Sequence, residues 1–427
     1  MFQKTTLKNG LRVLTSSTPK SFSIGICLLV KVGSRYENEK NAGVAHFLEH
    51  MFFKGSRKWP SQKELSFVVE GNGGYFNGWT GKNLTGFDIK IPKEKTEKGV
   101  EILLDMILYP QIKEKDFEKE KGVILQEINW RYDNPDRHIW SLIDETMWFG
   151  NPLGQDVVGY KETVQSLKPE DLKNFFEKFY IPQNMIIVAG GEFNHQDFVK
   201  NVEKFFDKKF TGGKEKLEFL PVEKKQKAYN LKIEIRETKQ SHFVLGIKTF
   251  DINHPDKFVL NVIHSLLGIG FSCRLMLNIR TQKGLVYSIH SGVNYLSDTG
   301  CLLIDSSVKN EMIMLALEET IKELKRFKKE KVSNSELTQA KEKIKGRFLF
   351  GIELPENQAE WYARQELFQS KVLKPKEVLA KIDKVSNKDI LRVAQNLFVS
   401  ENLSLALISP FEEKDKTNLQ QILKKID

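Results

Sequence analysis

The chain has 427 residues, 40% hydrophobic and 29% charged, with 28 Gly and 13 Pro, a globular composition that excludes disorder, collagen-like repeats and low-complexity scaffolds. Its length exceeds one ordinary core and implies two or three domains. The formal net charge is +10. The lysines nevertheless alternate with glutamates, as in 113–121 and 322–331, the pattern of solvated helix faces rather than of a nucleic-acid surface.

No zinc knuckle, RNA-reading aromatic pair or Gly-rich phosphate loop accompanies those charges, so no nucleic-acid partner is expected. No apolar run approaches the roughly 18 residues of a bilayer span, so none is expected with membranes either. Met1 to Gly10 has no apolar segment before a small-residue cleavage site, which predicts a cytoplasmic protein. Cys27, Cys273 and Cys301 are too few and scattered for a disulfide framework or a thiolate metal site, and read as buried small hydrophobes in strands.

In chain order, residues 24–32 read as a strand, followed by a polar turn and an apolar helix over about 42–53. Residues 86–91 alternate as a strand, and 115–130 form a charged helix. A polar stretch with Gly-Gly and a proline, 211–230, is the linker candidate, giving a first half over 1–212, a linker over 213–230 and a second half over 231–427. The second half repeats the order strand, turn, apolar helix at 243–249 and 257–267, then strands at 286–293 and 301–308. Helices and antiparallel strands in separate runs predict an α+β fold of two homologous halves, each a mostly antiparallel sheet packed with helices.

The chemistry concentrates in Asn41-Ala-Gly-Val-Ala-His46-Phe-Leu-Glu49-His50-Met-Phe-Phe53. Residues four apart on a helix lie about 40° apart around its axis and rise about 6 Å, so His46 and His50 stack on one face and can share one metal ion. Glu49 faces the same site without having to bind the metal. Val44, Ala45, Phe47, Leu48, Met51, Phe52 and Phe53 make the helix apolar almost all round, which predicts burial. Two imidazoles and a carboxylate buried there cost several kcal/mol unless each is paired or bound to a metal.

Zinc held by two histidines needs a third protein ligand and an open position for water. The helix over 115–130 offers two carboxylates, Glu120 and Glu127, seven apart and about 20° apart around the axis. Both fall within its stripe of Phe117, Val123, Ile124 and Ile128. Spacing alone leaves open whether either glutamate is a ligand or both sit at the edge of a charged helix.

These residues resemble the pitrilysin/insulinase family of inverted zinc metallopeptidases, whose signature is His-x-x-Glu-His. The likeness is to its half-length branch, related to the mitochondrial processing peptidase. It implies zinc on His46, His50 and a glutamate 77 residues past the second histidine, and that position is Glu127. The family's additional glutamate falls on Glu120, as a supporting carboxylate. Val32 to Glu39 and Phe53-Lys-Gly-Ser flank the motif as in the family. Gly73-Gly-Tyr-Phe-Asn77-Gly-Trp-Thr80 resembles the segment whose strand edge receives the substrate, which implies a substrate-binding role for Asn77. Arg280-Thr-Gln-Lys-Gly-Leu-Val-Tyr287 resembles the family's arginine–tyrosine pair. Arg280 would hold a substrate carbonyl, and Tyr287 would bind substrate and donate to the oxyanion.

The chain departs from the family's pattern at Gly78, Phe87 and Asn151, where alanine, tyrosine and histidine are common, and none of these touches the metal residues. The glycine-rich loop of the processing peptidase's non-catalytic subunit is shortened here to Gly268-Ile-Gly270, which argues against the non-catalytic role. The resemblance thus implies a zinc metalloendopeptidase with one Zn2+ per chain, Glu49 as general base, and an extended peptide as substrate inside a chamber formed by paired chains. One chain carries both the zinc motif and Arg280 with Tyr287, so a homodimer is expected, a heterodimer with an inactive homologue remaining open. The rival readings are a non-proteolytic structural homologue, a nucleic-acid-binding module and a different zinc hydrolase on the same ligands.

Overall fold

The computed structural model describes residues 2–206, 210, 217–223, 226, 228–411 and 415–427. The strands are β1 (Phe2–Thr6), β2 (Arg12–Ser17), β3 (Ser23–Val30), β4 (Tyr75–Thr80), β5 (Thr85–Pro92), β6 (Met185–Gly191), β7 (Asn230–Ile235), β8 (Ser241–Thr249), β9 (Val286–Tyr295), β10 (Gly300–Val308) and β11 (Leu403–Ser409). The helices of the first half are α1 (Val44–Phe52), α2 (Gln62–Gly71), α3 (Thr96–Leu108), α4 (Glu114–Asp133), α5 (Pro135–Met147), α6 (Lys161–Ser166), α7 (Pro169–Phe179) and α8 (His195–Phe205). Those of the second half are α9 (Lys257–Gly268), α10 (Ile313–Lys329), α11 (Asn334–Gly351), α12 (Pro355–Phe368), α13 (Pro375–Asp383), α14 (Asn387–Leu397) and α15 (Asp415–Lys424).

Two compact units result, each built on one sheet. The first has the order β1-β2-β6-β3-β5-β4, antiparallel except for the parallel pair β2 and β6. The second has the order β7-β11-β8-β10-β9, antiparallel except for the parallel pair β7 and β11. Strand for strand, β2, β6, β3, β5 and β4 therefore correspond in order and direction to β7, β11, β8, β10 and β9, with β1 an addition. The expected α+β repeat is present as this shared topology.

The central strands are buried on both faces, which explains their near-continuous apolar sequences, Ser-Ile-Gly-Ile-Cys-Leu-Leu-Val in β3 and Leu-Ser-Leu-Ala-Leu-Ile-Ser in β11. In the first unit, one face packs a core including Ile26, Phe47, Phe87, Leu103 and Phe117. The other face, with Leu14, Leu29, Ile186 and Val188, is closed by Ala359, Ala363 and Leu367 of α12. In the second unit, Val244, Leu303, Ala406 and Ile408 are closed by Ile139, Leu142, Ile143 and Met147 of α5.

The domain boundaries are thus not those expected. Residues 131–154 belong to the second unit, and 350–372 to the first. Each half of the chain lends the helix that closes the other unit's sheet, and burial of an apolar sheet face, not position in the sequence, decides membership. Of the linker expected over 213–230, residues 213–216, 224, 225 and 227 lie outside the described residues. In the described part the Phe219 ring lies 5.9 Å from that of Tyr36 and under the Arg35 guanidinium, and Val222 is buried, while Leu220 is 55% exposed.

Two smaller expectations also change. Val123 is 42% exposed, so the α4 stripe narrows to Phe117 and Ile124, with Ile128 partly buried. Cys301 is buried in β10, but Cys27 in β3 is only half-buried and Cys273 lies outside any strand.

Candidate metal centre

Helix α1 buries Val44 through Glu49, Met51 and Phe52, leaving only His50 half-buried. Phe47 stacks on Phe117 of α4, ring centroids 4.5 Å apart and planes within 7° of parallel, which joins the two helices at that point. One turn along, the imidazoles of His46 and His50 lie 4.6 Å apart, as the i, i+4 spacing requires. Two turns along α4 from Glu120, Glu127 brings an oxygen within 3.7 Å of His46 Nε2 and 3.9 Å of His50 Nε2. The three ligand atoms all lie within 4.8 Å of one another, and among the described residues this is the one such cluster of histidine, cysteine and carboxylate groups.

Glu120 is 4% exposed and accepts a hydrogen bond from His50 Nδ1 at 2.8 Å. Its other oxygen meets the Lys54 ammonium at 2.6 Å. Burial opposes ionisation of Glu120, but the bonds from His50 and Lys54 outweigh it and hold the carboxyl below its usual range. An ionised Glu120 accepts only, so Nδ1 of His50 is the protonated nitrogen. Its Nε2 is the ring nitrogen on the Glu127 side.

Glu49 points to the same face. It is 8% exposed and accepts a hydrogen bond from Thr80 Oγ1 at 2.6 Å. Burial pushes its carboxyl above the ordinary range; Thr80 and His50 draw it back, and Glu127 pushes it further up.

The donor set fits zinc. Two imidazoles and one carboxylate are the protein ligands of zinc sites that keep a fourth position for water, and a carboxylate behind a ligating histidine is the usual way its tautomer is fixed.

Sequence comparison places these residues among known proteins. Residues 12–161 match the model described as insulinase (peptidase family M16), and residues 166–344 that of the peptidase M16 inactive domain. An uncharacterized zinc protease of Rickettsia felis is 32% identical over 410 residues, covering 96% of this chain and 98% of its own. The uncharacterized zinc protease YmxG of Bacillus subtilis is 30% identical over 415 residues, with the same coverage. The chain belongs to the insulinase family, peptidase family M16. A protease from Helicobacter pylori shares the fold with a TM-score of 0.90 and 25% identity, covering 96% of this chain and 99% of that one.

Within this M16 chain, the structure brings His46, His50, Glu127, Glu49 and Glu120 together. Asn77 is exposed on β4, the outer strand of its sheet, opposite Asp88. Arg280 and Tyr287 belong to the second unit. Arg280 sits in a π-helical turn, Met276–Gln282, with its guanidinium 5.6 Å from the ring centre of Tyr287, which is 81% exposed. Sequence reasoning missed Thr80 and Lys54. Both had a signal: Thr80 ends the Gly73–Thr80 segment, and Lys54 stands four residues past His50. No described helix is long and apolar enough to cross a membrane.

Proposed function

We propose that this M16 chain is a zinc-dependent endopeptidase acting on extended peptides. The observation that carries this reading is the convergence of His46, His50 and Glu127 around one point, with the buried carboxylate of Glu49 beside them. Zinc held by those three side chains would supply Lewis acidity and a water made nucleophilic near neutral pH. Glu49 accepts the proton from the attacking water and returns it to the leaving amine. Thr80 occupies Oε2 of Glu49 and leaves Oε1 for that transfer.

The substrate adds as a strand along the outer edge of β4, past Asn77 and toward Thr80 and Glu49. This is supported by the edge position of β4, which among the described residues pairs on one side only. Backbone pairing of that kind selects extended conformation more than sequence. In this reading Arg280 holds a substrate carbonyl and Tyr287 donates to the oxyanion, and the working form is a homodimer with one zinc per chain. Light scattering on purified protein measures the oligomer directly; a monomer active only with a second gene product contradicts the homodimer.

Metal analysis combined with cleavage of a mixed peptide pool tests the enzyme. Wild type is expected to hold about one zinc per chain and to cleave. Glu49→Gln keeps the metal and loses cleavage, whereas His50→Ala and Glu127→Ala lose both. Normal cleavage by Glu49→Gln removes the assigned base.

A further inference from the structure

Helix α1 has nine residues, and its N-cap is Gly43, which offers no side-chain acceptor to the first-turn amides. The usual caps are excluded at that position. Gly43 has φ of +96°, and a Cβ there would lie 2.8 Å from the Val158 carbonyl oxygen and 2.9 Å from Gly159 Cα, both backbone atoms. Other helices of the same unit carry their own caps: Ser61 accepts from Glu64 N–H ahead of α2, and Asn194 from Gln196 and Asp197 N–H ahead of α8. At α1 the acceptor comes from a distance. Glu37, 4% exposed, accepts from the Gly43 N–H through Oε2 and from the Ala45 N–H through Oε1, each at 2.8 Å. On the other side of the turn, Thr163 Oγ1 donates to the Ala42 carbonyl at 2.8 Å.

Ala45 immediately precedes His46. The two bonds to Glu37 thus fix the phase of a helix too short to set it by its own length, and with it the direction of both imidazoles. A metal site tolerates only about 0.5 Å or 10–20° of error in its ligands before function falls.

We propose that Glu37 is a positioning residue of the zinc centre, holding the first turn of α1 so that His46 and His50 are presented to the ion in register. The inference deepens the zinc-peptidase reading and rests on it. Glu37→Gln keeps the size of the side chain but replaces one carboxyl oxygen, which retains acceptor capacity whether or not the group is protonated, with an amide nitrogen that only donates and faces an amide donor.

The full-length protein, Glu37→Gln and Ser61→Ala are compared by chelator competition for zinc, thermal unfolding, and kcat and KM on a cleaved peptide. Ser61→Ala removes an ordinary cap and is the control for loss of stability alone. Glu37→Gln is expected to weaken zinc binding about 10-fold or more and to lower kcat with little change in KM, the range seen when support behind metal ligands is lost. Ser61→Ala is expected to lower the unfolding temperature with zinc affinity unchanged. Unchanged zinc affinity in Glu37→Gln, or an equal loss in Ser61→Ala, overturns the proposal. If Glu37→Gln gives no cooperative unfolding transition, Glu37→Asp, which keeps the carboxylate one methylene shorter, is measured instead with the same expectation and the same overturning result. Failure of the wild type to bind zinc overturns the reading beneath, which separates the two failures.

Discussion

Glu49 lies between the two histidines in sequence, yet its nearest polar partner is Thr80 on a strand, and that pairing sets the carboxylate's orientation. Removing it with Thr80→Val is expected to lower kcat roughly 10–100-fold, the value of one hydrogen bond to a charged group, while zinc content stays at wild type. Steady-state kinetics with metal analysis checks this; unchanged kcat contradicts it. Lys54 acts one step further back, through Glu120 to His50 Nδ1. Lys54→Met leaves Glu120 buried without its cation, and zinc affinity is expected to fall about 10–100-fold by chelator competition. At this scale the sequence was legible where chemistry is local. His46, Glu49 and His50 follow from helical spacing, whereas Thr80 and Lys54, though one ends the Gly73–Thr80 segment and the other stands four residues past His50, take their roles from side-chain contacts that only the fold makes.

Two helices make the centre, and they were legible to different degrees. The apolar surround of α1 predicts its burial, and the structure buries it. In α4 the pattern is weak, with Val123 and Trp130 exposed, so the family's spacing rather than periodicity singled out Glu127. Its approach to the histidines is a tertiary fact, set by Phe47 stacking on Phe117. The start of α1 also carries a pH signature. Burial pushes the Glu37 carboxyl from 4.5 up to about 8, with the Gly43 and Ala45 amides and Lys82 pulling the other way. A folded-state value above the unfolded one means the folded protein binds the extra proton. The stability this contributes is fully present below about pH 4.5 and is lost as pH rises through about 8. Thermal melts of the metal-free protein between those values are expected to show a fall in stability with pH that Glu37→Gln flattens; an identical slope in the variant contradicts the assignment.

On the scale of the whole molecule, the repeat was legible as a recurring order of elements, and the structure deepens it into five corresponding strands per sheet. The exchange of α5 and α12 was not legible, because a boundary read from composition follows the chain and a sheet face is closed by whichever helix reaches it. A fragment of residues 1–212 lacks α12 and leaves Leu14, Leu29, Ile186 and Val188 uncovered. It is expected to lose cooperative unfolding and to bind a hydrophobic dye; a sharp transition at the full-length temperature contradicts the exchange. In the second unit, α9 follows the third core strand and precedes the outer strand β9, the place α1 holds in the first, but it carries a single histidine, His264. One metal centre per chain is the expectation that follows.

Anomalous diffraction at the zinc edge from crystals grown with the metal tests that expectation directly. One peak per chain is expected, bonded to His46 Nε2, His50 Nε2 and the Glu127 carboxylate at about 2.0–2.2 Å. No peak there, or a peak held by other side chains, contradicts it.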